Sequence, residues 1–339
     1  MRHSLKIHMT ILALCALAVQ AQEKLPLKLI TTTPMPGFTG DFDHFGLDLG
    51  GSRLFLAAEE HKTVEVFDLR TGARTHSIEG FGHPLMMVYL PGPNQLVVTD
   101  GDDDGAVRLV DCKQYKIIKT IKLSPGVDHG VLDPGKQYYY VESGGGSNGP
   151  THALSIIDAK SFKHVGDVAG LPGSSNEAMA VDREGKRLYV NLTGTDEVGV
   201  VDLKTRHLVA RWPLPDAHTA HPMALDERNH RLFIATRKPA LFIVFNTDTG
   251  KAVASLPCVG GNSDMSFDVV HKRIYVTGSE TASVFEQEDA DHYKHIAEVP
   301  TAYRAKSSIF VPELNRLYVA VSGKGKPDAK LELRIYGVQ

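Results

Sequence analysis

"RLYV" occurs at Arg187–Val190 and again at Arg316–Val319, with near-copies at 53–56 ("RLFL"), 231–234 ("RLFI") and 273–276 ("RIYV"). The last three steps between these starts are 44, 42 and 43 residues, and the first step, 134, is close to three such periods. Two weaker copies fill that gap, "QLVV" at 95–98 and "YYYV" at 138–141. The longer step from 138 to 187 holds an obvious insertion, "GGGSNGPTH" (144–152). Seven units result. A sustained period in the low forties marks an array whose units cannot bury their own apolar faces alone.

Each unit has the same internal grammar. In 177–214 an alternating run (178–182) is followed by a turn, by "RLYVNL", by the polar turn "TGTDE", by "VGVVD", and by a final run, "HLVARWPL". These are four short stretches rich in Val, Leu and Tyr, separated by Gly, Asp, Asn and Thr turns. No 3.6-residue amphipathic period appears beyond the first 21 residues. The fold predicted is all-β: a seven-bladed β-propeller with four-stranded antiparallel blades, the recurring phrase being the buried second strand of each. The last unit lacks its fourth strand. "LPLKLITTT" (25–33) is expected to supply it, so that the N-terminal strand closes the last blade and the ring keeps no open edge.

The motifs "RIYVTG" (273–278) and "RLYVNL" (187–192), each followed by a "VVD"-like strand, with D-x-x-T-G turns such as 68–72, resemble the YVTN-type propeller repeat. Residues 25–339 as a whole resemble the YncE-like family of secreted bacterial seven-bladed propellers. That resemblance implies a binding protein without an assigned reaction.

Residues 1–21 read as a secretory signal peptide: a basic start with Arg2 and Lys6, the apolar run "MTILALCALAV" (9–19), and small residues before a cut near Ala21. Lipidation at Cys15 is disfavoured by the bulky Leu14 before it. Residues 22–339 then form one propeller domain, periplasmic or secreted, with no further run long enough for a membrane span. Loss of the leader takes Arg2 and Lys6 from 37 basic residues and nothing from 40 acidic ones, leaving a slightly acidic chain. No basic stripe with interleaved aromatics appears, which makes nucleic acid an unlikely partner. A monomer is expected. Cys112 and Cys258 fall on blades nearly opposite one another and are expected to be free thiols.

The slot before each innermost strand lines the mouth of the central channel. It reads "FDHF" (42–45), "GHPL" (82–85), "VDHG" (127–130), "NEAM" (176–179), "AHPM" (220–223), "NSDM" (262–265) and "RAKS" (304–307). Asp43, His44, His83, Asp128, His129, Glu177, His221, Asp264, Arg304 and Lys306 therefore gather at one rim. Imidazoles and carboxylates crowded in a cleft suit a divalent metal ion, a small polar ligand or a peptide. They also suit wet surface residues copied along the repeats. A metal-assisted hydrolase or lyase acting on a lactone or ester is the alternative, with Glu177 or Asp264 as ligand and His129 or His221 as general base. The loops between second and third strands reach the same face. There Glu59, Glu60, His61, Glu142, Lys238 and Glu280 are expected mostly as exposed turns, while Arg237 is paired with Arg304 as a possible clamp for a carboxylate or phosphate. Asp100, Asp102 and Asp104 in "DGDDDG" have the spacing of a calcium loop, without the flanking helices of an EF-hand.

Overall fold

A computed structural model of the chain describes residues 25–102, 105–144, 152–326 and 328–339. The expected leader, Cys15, Asp104 and most of the glycine-rich insertion lie outside those residues.

The recurring phrase forms the strands Arg53–Ala58, Gln95–Asp100, Tyr138–Ser143, Arg187–Leu192, Arg231–Lys238, Arg273–Thr277 and Arg316–Val321. Each is the second strand of a four-stranded antiparallel sheet, and seven such sheets form the ring. These strands are buried almost end to end after their first residue; Arg187–Leu192, for example, leaves only Arg187 exposed. A blade presses on each of their faces, so both sides of the pleat must be apolar. Outermost strands such as Lys251–Pro257 are mostly exposed. Among the described residues the one helical element is a short 3-10 turn, Pro312–Leu314, and no helix is long and apolar enough to cross a membrane.

The core is divided among the blade interfaces. Seven apolar clusters are present, and each joins two adjacent blades. The cluster joining the last blade to the first packs Tyr318, Leu333 and Ile335 against Phe45, Leu54 and Phe67. Leu27–Pro34 pairs antiparallel with Glu332–Val338, from Leu27 opposite Val338 to Pro34 opposite Glu332. The last sheet thus takes its outer strand from the N-terminal end of the fold, as the incomplete seventh unit predicts. The Tyr318 hydroxyl donates to the Leu69 carbonyl across the same seam. Cys112 and Cys258 each follow a strand end and are free.

Removing residues 25–34 should expose the outer edge of the C-terminal strand and weaken the seam between the first and last blades. A fall in melting temperature of about 10 °C or more is expected by circular dichroism. An unchanged melting curve would mean the ring closes by other means.

Candidate functional site

The innermost strands place the rim residues, and three of them are bulged. Pairing with the second strand shifts register between Phe42 and Phe45, between Pro84 and Met87, and between Ala220 and Met223. A bulge sets two residues against one and redirects a side chain. Asp43, His44 and His221 lie in these bulges, inside the strands Phe42–Asp48 and His218–Asp226 rather than in the loops ahead of them. In the third blade the loop before Gly130–Leu132 carries Asp128 and His129. Gly130 lets that loop lie over a ring beneath it, because a Cβ there would stand 1.9 Å from the Tyr139 hydroxyl.

His44 is the hub. Its Nδ1 lies 2.9 Å from Asp264 Oδ1, joining the first blade to the sixth, and its Nε2 lies 3.6 Å from Asp43 Oδ1. The second Asp264 oxygen accepts the Ser308 amide at 2.7 Å, which fixes the carboxylate. Across the channel the His44 ring meets that of His129 edge-on, with centroids 4.7 Å apart. His129 Nδ1 stands 3.4 Å from Asp128 Oδ1 and 3.3 Å from Glu177 Oε2. The same Glu177 oxygen is 3.4 Å from His221 Nδ1. Five blades thus meet within one chain of contacts. Ligand atoms of His44, Asp128 and His129 all fall within 4.8 Å of one another, the spacing of a possible metal site.

Burial and neighbouring charge set the protonation of this cluster. Burial alone would lower the basicity of His44, but Asp43 and Asp264 overcome it and hold the imidazole up at about 10. Burial would raise Asp43, yet His44, then Lys306 and His129, keep it below its usual range. His129 is lowered by burial. His221 is pushed down to about 2 by burial and by the positive charge of Arg237. Glu177 is raised to about 9, first by burial and then by Asp128 and Glu142. One ion-paired corner around His44 therefore faces a neutral, poorly hydrated one around His129, Glu177 and His221.

Other expected rim residues lie outside this cluster. Arg304 is committed to Asp41, with Nε donating to Oδ1 at 2.8 Å and Nη2 bonding Oδ2, so it does not pair with Arg237 in a clamp. His83 lies 3.6 Å from Glu59 on the neighbouring blade. Asp100 is buried at the end of its strand, where it accepts the Gly82 and His83 amides and the Arg108 guanidinium. Both its oxygens accept from protein donors, which ties the first position of the acidic loop to its own blade. Asp102 borders a small cleft with Glu59, Glu60 and His83.

Two residues expected in exposed turns are instead buried. Glu59 is 6% exposed and Glu142 is 4% exposed. Glu59 lies 3.9 Å from Lys306 Nζ. Glu142 accepts the Asn176 amide at 3.0 Å, and burial followed by the charge of Asp128 raises it well above its usual range. Glu59 follows the second strand Arg53–Ala58 directly and Glu142 is the penultimate residue of Tyr138–Ser143, the same end of the strand in each blade. That position in the repeat was the available sequence signal. Glu60, His61, Lys238 and Glu280 are exposed, as expected of turns.

No family model matches the chain. Among curated proteins it is 21% identical over 255 residues to THO complex subunit 3 of Arabidopsis thaliana, covering 73% of this chain and 74% of that protein. It is 28% identical over 85 residues to Protein NirF of Pseudomonas aeruginosa, a match to 25% of this chain and 22% of that one. Among solved structures it superposes on a chain of the Kuenenia stuttgartiensis hydrazine synthase with a TM-score of 0.70 at 18% identity, covering 84% of this chain and 95% of that one. A chain of the mitotic checkpoint complex gives a TM-score of 0.73 at 16% identity over 98% and 99% of the two chains. At these identities the likeness is one of fold, a seven-bladed propeller, a scaffold that suits binding of ligands or proteins.

Burial, then the nearby Asp43 charge, raises Glu59 from 4.5 to about 8. The folded protein holds a proton there that the unfolded chain releases above its ordinary value. This contribution to stability is complete below pH 4.5 and is lost as pH rises through about 8. Glu59→Gln keeps the neutral shape. It should melt like the parent at pH 5 and about 3 °C or more above it at pH 9. Equal melting temperatures at both pH values would show that Glu59 ionises normally.

Proposed function

We propose that this protein is a secreted propeller that binds a divalent transition-metal ion in the mouth of its channel. His44, Asp128 and His129 would be the primary ligands, with Glu177 and His221 beside them. The observation that carries this reading is a set of buried polar atoms facing one another without hydrogen bonds. His129 Nδ1, Asp128 Oδ1 and Glu177 Oε2 have no hydrogen-bond partner among the described residues. Their separations of 3.3 and 3.4 Å are long for hydrogen bonds. They suit ligands sharing an ion, since two ligands at about 2.1 Å around a tetrahedral metal stand about 3.4 Å apart.

The surroundings of His44 support the same reading. A metal-binding imidazole usually donates its second nitrogen to a carboxylate, which fixes its tautomer and increases its basicity. Asp264 is placed to do this at Nδ1, leaving Nε2 toward the channel. An ion at Nε2 would replace the proton that Asp43 now favours. Mixed imidazole and carboxylate donors suit zinc, nickel, copper or iron better than magnesium. Hydrolysis of a lactone or ester is less well supported. Of the two histidines in the general-base role, His221 is pushed down to about 2 and His129 is lowered by burial, which weakens both as bases. Secretion rests on the leader-like residues 1–21, and the YncE-like resemblance on the repeat motifs.

Elemental analysis of the purified mature protein, dialysed after exposure to zinc, nickel, copper and iron salts, should find about one ion per chain. A His44→Ala/His129→Ala variant should lose it, while His292→Ala, on an exposed loop, should retain it. The preferred metal at about 100 times its Kd should stabilise the parent by about 2.7 kcal/mol and leave the double variant unchanged. Equal metal content in parent and double variant, with both folded by circular dichroism, would remove the site.

A further inference from the structure

Glu142, His152 and Asn176 meet at the seam between the third and fourth blades, next to the channel cluster. Glu142 is near the end of Tyr138–Ser143, His152 precedes the strand Ala153–Asp158 of the same blade, and Asn176 lies in the loop before Met179–Val181. One Glu142 oxygen, Oε1, accepts the Asn176 amide at 3.0 Å and stands 3.3 Å from His152 Nδ1. That nitrogen is buried and has no hydrogen-bond partner. The Asn176 side chain, in a residue 2% exposed, has none at either its oxygen or its nitrogen. None of the three is a ligand of the channel cluster, although the Glu142 amide donates to the His129 carbonyl at 2.8 Å and Asn176 adjoins Glu177.

Each of these groups is less well satisfied than its counterparts. Outside the channel cluster, the other buried carboxylates among the described residues each have an arginine, a lysine, a hydrogen-bonded histidine or, for Asp226, the side-chain amides of Asn229 and Gln287. Glu142 has the unbonded His152 alone. Asn262 fills in the sixth blade the slot that Asn176 fills in the fourth, and its amide donates to the Thr236 and Val259 carbonyls at 2.9 and 3.0 Å. Apart from His129 Nδ1 in the channel, His152 Nδ1 is the one buried imidazole nitrogen without a partner among the described residues. Leaving three buried polar groups unanswered in one place is costly. Water there would leave the carboxylate without a counter-charge or force a proton onto it. A cation answers the carboxylate, the imidazole lone pair and the amide oxygen together. Neighbouring ligands about 2.2 Å from an ion stand about 3.1 to 3.6 Å apart, from octahedral to tetrahedral geometry. The 3.3 Å between Glu142 and His152 falls in that range.

We propose that this seam holds a second divalent cation, bound by Glu142 and His152, with the Asn176 side-chain oxygen as third protein ligand and water completing the shell. One imidazole with two oxygens suits a harder ion than the channel does, manganese rather than copper. Two strong ligands hold an ion less tightly than the channel set, so this one exchanges with solvent and is lost on dialysis, leaving the single ion of the channel. Burial favours a proton on Glu142, and the ion displaces it, as metal ligands give up protons on binding. The seam shares no ligand with the channel, so either site can fail alone.

The test is titration of zinc-loaded, dialysed protein with manganese(II). Free manganese is counted by its electron paramagnetic resonance signal, and zinc is measured on each sample. The parent should take up about one manganese per chain. Glu142→Gln and His152→Ala should each weaken that uptake at least about 10-fold, the scale on which even outer-shell partners act, and leave zinc content unchanged. The His44→Ala/His129→Ala variant should lose its zinc and still bind manganese at the seam. No manganese uptake by the parent, or uptake that Glu142→Gln and His152→Ala both leave unchanged, would overturn the proposal. So would manganese lost in the His44→Ala/His129→Ala variant alone, which would place the ion in the channel. Uptake that depends on Glu142 and His152 in a parent that retains no zinc would uphold the seam site and sink the channel site alone. Glu142→Gln preserves volume, so a folding defect in His152→Ala does not block the comparison.

Discussion

The strand Leu27–Pro34 lies against Glu332–Val338, and the rest of the molecule depends on that pairing. Seven sheets arranged radially have seven interfaces only if the last sheet reaches the first. Without closure, the apolar faces of the first and last blades would both meet water. With it, each of the seven apolar clusters is shared by two blades, and no blade needs a core of its own. The ring in turn sets the radius of the channel. Side chains from the first and third blades come within ring-contact distance across it because closure allows no blade to move outward alone.

Within that rigid ring the chain concentrates groups that a fold alone would avoid. A charged His44 between two carboxylates, and a neutral cluster of His129, Glu177 and His221, occupy the most buried end of the polar rim. Buried ionisable groups contribute little net stability compared with apolar residues of similar size, because desolvation offsets their attraction. Bulges in the inner strands are a second cost, since each gives up regular ladder pairing. Asp43, His44 and His221 lie where the two costs meet. Strain and unsatisfied polarity collected in one place on an otherwise regular scaffold are the physical signature of a binding site.

The architecture was legible in the sequence because blade packing imposes a period. Every second strand must be apolar on both faces, so "RLYV" and its relatives recur wherever a blade does, and even the degenerate "QLVV" and "YYYV" keep the spacing. The missing strand of the seventh unit was readable by the same count. Which rim residues would meet was not. Strand period says nothing of whether a carboxylate at the end of a second strand turns outward, as Glu60 and Glu280 do, or is covered, as Glu59 and Glu142 are. Nor does it reveal a capture by a close neighbour. Arg304 stands in a rim slot of the repeat frame, but Asp41, one residue before the slot "FDHF", takes it. Nor does the D-x-D spacing reveal that Asp100 accepts the Gly82 and His83 amides that come before it in the chain.

The seven slots are equivalent by descent and unequal by pairing, and that inequality gives the channel its polarity. In the second blade His83 is drawn toward Glu59, and in the seventh Arg304 is tied to Asp41, so these two positions are occupied locally. The first, third, fourth, fifth and sixth blades send their groups inward instead, toward His44, His129 and Glu177. A symmetric ring of seven equal ligands would fit no small ligand well, since no ion has seven equivalent near neighbours at 2 Å. Satisfying two slots within the wall leaves a lopsided mouth, with the imidazoles of His44, His129 and His221 and the carboxylate of Glu177 gathered on one side.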